Sequence, residues 1–162
     1  MIPSALLEEL NRQLNRELYS AYLYLSMASY FEERGLNGFA HWFKLQAKEE
    51  LEHAMKFYNY IHERGGHVEF YPIQEPASNW DNITGLVKSA LEHEKEITRH
   101  INHLLDLARK LDDKPTEVFL YWFITEQVEE EKAFQELLQV LEYAGETPQT
   151  VLMLNAKLAQ RK

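Results

Sequence analysis

The sequence predicts an all-α fold: a four-helix bundle with one long crossover connection and a short fifth helix. Three observations carry this. Apolar residues recur at helical spacing through four long runs. Glycine and proline are few, 6 and 5 in 162 residues, and they stand between those runs. Strand-like alternation of useful length is missing.

Each element has its own start and stop signals. Ser4 is positioned to cap α1, which runs to about Arg34 and ends at Gly35. Asn37 is positioned to cap α2, which runs to about Arg64 and ends at Gly65-Gly66. The segment His67–Asn79, HVEFYPIQEPASN, has two prolines and no helical period, so it reads as a long connection. Helix α3 follows to about Leu111, and Asp112-Asp113 makes a short turn. Pro115 falls in the first turn of α4, and Gly145 ends it. Thr147-Pro148 starts α5, with Thr as cap and Pro at the first position. Residues 1–162 read as one domain, with the bundle over about 4–144 and α5 over about 148–160.

The four long helices are each roughly 40–45 Å long at 1.5 Å per residue. Short turns make α1–α2 and α3–α4 antiparallel pairs. The connection spans roughly 43 Å when extended, one helix length, so α3 can start at the opposite end of the bundle.

Composition excludes several classes of function. The net charge of −9 argues against a basic patch for nucleic acid or anionic lipid. The absence of cysteine excludes disulfides, thiolate zinc sites, iron–sulfur clusters and cysteine nucleophiles. It also fits a reducing compartment. No signal peptide is visible and no run spans a membrane, so a cytoplasmic location is expected.

The run FITEQVEEEKAF, residues 123–134, carries four glutamates. At about 100° per residue these divide. Glu130 and Gln127 share the apolar stripe of Phe119, Phe123, Phe134, Leu137 and Leu141, with Glu126 at its edge. Glu129 falls outside the stripe and Glu131 on the opposite margin. The other helices each place one acid in the same way: Glu17 on α1, Glu50 on α2 with His53 one turn on, and Glu94 on α3. Glu17, Glu50, Glu94 and Gln127 all lie about 13 residues past the start of their helices, which puts them at one level.

Four ionised carboxylates in a core need compensation, since each unpaired one costs several kcal/mol. The stripes offer no Lys or Arg, and His53 alone is basic. Either the acids are protonated, or two divalent cations balance them. Oxygen ligands with one imidazole suit Fe(II), Mn(II) or Zn(II). Tyr24, two turns from Glu17, reads first as core. His41, His62, His67, His93, His100 and His103 share no face with the acids and read as surface. Helix α1 is apolar nearly all round, with Leu18, Tyr19, Tyr22, Leu23 and Tyr30 off the Glu17 stripe, so it calls for a second burial surface. Helix α5, with Val151, Leu152, Met153, Leu154 and Leu158, is too short to fold alone and must pack on something.

The segments NRELYSAYLYLSM, GFAHWFKLQAKEELEHAMKFYNYIHERGG and FITEQVEEE resemble those of the bacterial and archaeal non-haem ferritins, and the similarity covers the whole chain. The chain has one Glu-x-x-His, at Glu50 and His53. On α4 it has Gln127 and Glu130 where bacterioferritin and rubrerythrin keep a second such motif. The resemblance implies a ferritin-like bundle in a hollow cage of twenty-four copies, which oxidises Fe(II) with O2 or H2O2 and stores a ferric mineral. It implies a first iron site at Glu17, Glu50 and His53. A second falls at Glu50, Glu94 and Glu130, with Gln127 close by. It further implies a third iron site at Glu49, Glu126, Glu129 and Glu130, and a tyrosine, here Tyr24, beside the centre. In such a cage α5 lines the four-fold axis; alternatively it folds back on its own bundle. No haem is expected, since Glu52 stands where bacterioferritin places a haem-ligating methionine. Two alternatives remain: a non-storage di-iron oxidase or peroxidase, and a metal-free helical scaffold for a protein partner. Asp112, Asp113 and Glu117 near the α3–α4 turn are candidates for a channel.

Overall fold

A computed structural model describes residues 1–162 as five helices and no strand. They are α1 (Ser4–Glu33), α2 (Asn37–Glu63), α3 (Ile83–Lys110), α4 (Lys114–Ala144) and α5 (Pro148–Leu158). Helix α1 packs along α2, and α3 along α4. The end of α1, the starts of α2 and α3 and the end of α4 share one apolar cluster. The opposite ends share a second. Helices α1 and α4 therefore run one way and α2 and α3 the other, as a full-length crossover requires.

Aromatic packing gives the first cluster its rigidity. Phe31 stacks on Phe39 with centroids 4.7 Å apart, and Tyr24 on Phe134 at 5.5 Å. In the second, Phe57 meets Phe123 at 4.4 Å. Each such ring contributes roughly 1.5–3 kcal/mol by burial.

The crossover, residues 65–82, lies along α1. Asn11 fastens one end, donating to the His67 carbonyl at 3.0 Å and accepting from the Glu69 amide at 2.7 Å. Near the other end Ser26 donates to the Ala77 carbonyl, and Trp80 meets Tyr30 edge-on. This strap supplies much of the second burial surface that α1 calls for. Leu23 and Tyr30 are buried within the chain, and Tyr22 and Leu25 remain exposed.

Two expected caps are corrected. Ser4 and Asn37 are the first helical residues, and neither caps. The α2 amides of Gly38 and Phe39 instead donate to Asn155 Oδ1 of α5, at 2.8 and 3.1 Å. Likewise α3 starts at Ile83, capped by Asn82, and Glu146 accepts from the Ile83 and Thr84 amides. Thr147 caps α5 as expected. Helix α5 folds onto its own bundle: Leu154 is buried against the first cluster, while Leu152 and Met153 stay exposed.

Gly38 is where α5 comes closest. A Cβ there would lie 1.7 Å from the Asn155 carbonyl oxygen. Gly38→Ala should therefore lift α5 off and uncap α2, costing about 1–2 kcal/mol. Chemical denaturation and faster amide exchange across 148–158 would register it. Unchanged exchange would disprove the contact.

The channel candidates are engaged within the chain. Arg64 forms a bidentate pair with Asp113, at 2.8 and 2.9 Å, tying the end of α2 to the start of α4. Asp112 pairs with Lys114, and Glu117 with Arg109.

Candidate metal centre

A polar layer separates the two apolar clusters. It contains Gln13 and Glu17 from α1, Gln46, Glu50 and His53 from α2, Glu94 from α3, and Gln127 and Glu130 from α4, all buried. Equal depth along the four helices brings them together, and helical phase turns them inward. No Lys or Arg is among the buried side chains of the layer.

Three sets of ligand atoms each lie within 4.8 Å of one another: Glu17, Glu50 and His53; Glu50, Glu94 and Glu130; and His53, Glu126 and Glu130. Glu50 belongs to the first two, so it sits where one carboxylate can bridge two ions. His53 Nδ1 lies 3.2 Å from Glu50 Oε2 and 3.8 Å from Glu17 Oε2. Both His53 Nδ1 and Glu17 Oε2 are buried without a hydrogen-bond partner. Buried polar atoms are rarely left so, and both belong to one of the three ligand sets, where a cation would satisfy them.

Five of the carboxylate oxygens are held by amides and a phenol. Gln13 donates to Glu17 Oε1 at 3.1 Å. Gln46 Nε2 donates to Glu50 Oε1 at 3.1 Å and to Glu130 Oε2 at 2.5 Å. Tyr24 donates to Glu94 Oε1 at 2.5 Å, and Gln127 to Glu94 Oε2 at 3.1 Å. Gln127 also reaches the Glu94 carbonyl and Thr98 Oγ1. Its amide NH2 faces Glu94, so it orients that ligand.

The electrostatics follow from four acids in a dry layer. Burial, then the charges of Glu94, Glu17 and Glu130, holds the Glu50 carboxyl well above its ordinary range. Burial pushes Glu94 up to about 7, against the hydrogen bonds from Tyr24 and Gln127. Burial and then Glu94 push Glu130 up to about 9. Burial also opposes charge on Glu17, but His53 and then Glu50 outweigh it and hold the group below its ordinary value. For His53 burial is likewise outweighed, by Glu17 first, and the imidazole is raised. Burial, then Glu94, holds the Tyr24 phenol protonated. Without a cation the layer keeps protons instead.

The family model for the ferritin-like domain matches residues 7–144. A bacterial non-heme ferritin of Staphylococcus aureus is 38% identical over 161 residues, covering 99% of this chain and 97% of its own. The chain belongs to the ferritin family. An open pore ferritin from the hyperthermophilic archaeon Archaeoglobus fulgidus superposes with a TM-score of 0.98 at 43% identity, covering 99% of this chain and 98% of its own. A closed form of that ferritin, engineered by site-directed mutagenesis, also superposes at 0.98 with 43% identity.

Within this ferritin chain the structure gathers Glu17, Glu50, His53, Glu94, Gln127 and Glu130 in one layer, with Tyr24 touching it. Glu126 is half-buried at its edge, with Oε1 3.9 Å from His53 Nε2. Glu49 and Glu129 join none of the three ligand sets. Glu129 is exposed, and Glu49 pairs with Arg161 at 3.0 Å. The reading of His93 as surface is corrected. It is wedged between Tyr19 and Tyr24, 2.7 Å from Ser20 Oγ, and burial pushes it down to about 4. Sequence reasoning missed Gln13 and Gln46. Each precedes a buried glutamate by one helical turn, at Gln13–Glu17 and Gln46–Glu50, and that i,i+4 spacing was the available signal.

Proposed function

We propose that the layer is a ferroxidase centre, where two Fe(II) ions bind as substrate and are oxidised, and that the chain assembles into a hollow cage of twenty-four copies storing the ferric product. The observation that carries this is Glu50, common to two three-ligand sets, beside unpartnered Glu17 Oε2 and His53 Nδ1. One ion is held by Glu17, Glu50 and His53, the other by Glu50, Glu94 and Glu130. Carboxylates are hard ligands, so they stabilise Fe(III) over Fe(II) and make oxidation downhill. Each Fe(II) gives up one electron. O2 accepts both, with two protons, and becomes H2O2; if peroxide is the oxidant, it becomes two waters.

The acids protonated in the metal-free layer release protons as the ions enter. Tyr24 and Gln127 keep both Glu94 oxygens oriented. Glu126 with His53 and Glu130 offers a third position beside the pair, and Glu49 and Glu129 extend it outward. Acids there would draw the Fe(III) product off.

Exposed apolar side chains support assembly. Tyr22 and Leu25 on α1, Phe70 and Ile73 on the crossover, and Leu152 and Met153 on α5 all stand open to neighbours. The Archaeoglobus fulgidus relatives are described as an open pore ferritin and an engineered closed form of it, and a pore that can be open or closed fits a hollow assembly.

Anaerobic Fe(II) titration, followed by oxygen and particle sizing, tests this. Two ions per chain are expected first, then iron retained far beyond that number in a large particle. Turnover with no iron retained would make the chain a non-storage oxidase. No binding at all would leave a scaffold.

A further inference from the structure

The residues after α5 reach the edge of the centre through one side chain. Arg161 folds back onto α2, where its Nη2 lies 3.0 Å from Glu49 Oε1. Its Nη1 donates to the Trp42 carbonyl and to Gln46 Oε1, both at 3.1 Å. The guanidinium sits 4.5 Å from the centre of the Trp42 ring, and the Arg161 carbonyl accepts from His41 Nε2 at 2.6 Å. The side chain is 19% exposed.

A fastener for α5 needs only the Trp42 contacts. The other two go further. Gln46, whose oxygen Arg161 engages, spends its amide hydrogens on Glu50 and Glu130. Glu49, whose oxygen Arg161 holds, lies near enough to Glu130 to raise it. One permanently charged group thus touches both an outer acid and the amide that sets two inner ones. A cation arriving at Glu49 must take its carboxylate from a guanidinium, against like charge.

We propose that Arg161 is a positioning residue, a cationic latch on Glu49 and Gln46 that sets how readily a multivalent cation passes between the buried pair of sites and the outer acids Glu49, Glu126 and Glu129. The inference rests on the two-ion reading of the centre. It gives the residues beyond α5 a part in how metal moves.

The test is calorimetric titration of the assembled, iron-free protein with Zn(II) under fixed pH and salt. The unaltered chain is expected to take two ions tightly and further Zn(II) more weakly. Arg161→Gln, which keeps a hydrogen-bonding head and removes the charge, should tighten the weaker class roughly fivefold and leave the first two alone. Arg161→Lys keeps the charge and should stay within about twofold of the unaltered chain, whether or not the last turn loosens. Glu49→Gln should weaken that class, and adding Arg161→Gln to it should have no further effect.

If Arg161→Gln leaves the weaker class unchanged while two ions still bind tightly, the latch is overturned and the centre stands. An equal tightening in Arg161→Lys, or one that persists beside Glu49→Gln, overturns it as well. If no variant binds the two tight ions, the two-ion reading fails and takes the latch with it.

Discussion

Glu50→Gln is expected to yield a folded, assembled protein that no longer oxidises Fe(II). The amide matches the carboxylate in shape, so the layer stays filled. Glu50 is the carboxylate shared by the two inner ligand sets, and a neutral amide oxygen is a poor bridge between two cations. The loss in oxidation rate should be at least about 100-fold, larger than the effect typical of a residue that only supports a ligand. Stability should move the other way. Burial and three nearby acids already disfavour charge at this position, so the metal-free variant should melt no lower than the parent, and higher above neutral pH. Glu129→Gln is the contrast: the side chain is exposed and outside every ligand set, so initial oxidation should stay within about twofold. Stopped-flow oxidation and thermal melts check both. Glu50→Gln retaining a tenth of the parent rate would remove the shared ligand from the proposal.

The metal-free protein should lose stability as pH rises from about 5 to about 9, and Zn(II) should restore it. An unfolded Glu titrates near 4.3. In the fold, Glu94 titrates at about 7 and Glu130 at about 9. Below the unfolded value both states are protonated and the stabilisation is complete. As pH rises, the unfolded chain releases these protons first while the folded chain still holds them. Stability therefore falls through the window up to the folded values. Glu17 is depressed and His93 is pushed down to about 4, so their contributions run the opposite way. They are complete above about pH 5 and about pH 6.5, and the three raised carboxyls Glu50, Glu94 and Glu130 outweigh them. The drop should amount to several degrees in Tm between pH 6 and pH 9, and saturating Zn(II) should cancel most of it. Melting curves at three pH values, with and without Zn(II), are sufficient. A melting point that rises across this window would mean the inner acids are ionised and already compensated.

How legible the molecule was from sequence depended on range. Helical phase and depth are local quantities, so Glu17, Glu50, Glu94, Gln127 and Glu130 were readable on one level. Gly35, Gly65 and Gly145 marked helix ends, and all three adopt positive φ. The start of α2 was misread because its cap, Asn155, comes from 117 positions along the chain. Glu146 capping α3 is the same kind of contact. His93 looked like surface because it sits one residue off the buried stripe of α3. The crossover, through Pro72 and Gln74, helps wall the cleft it occupies, and no periodicity encodes that. The pairing of Glu49 with Arg161 was hidden for a similar reason, since it needs α5 docked before the two can meet.

The division of the core into two apolar clusters has a consequence for motion. Apolar packing gives folding its cooperativity, and here it is interrupted at mid-height by hydrogen-bonded acids. The two ends of the bundle are therefore expected to behave as separate exchange units, joined by continuous backbone rods and by side chains that share protons. Ions bridging all four helices at that height would weld the units into one. Amide protection should then rise together at both ends, tens of ångströms apart, on loading a site that lies in neither.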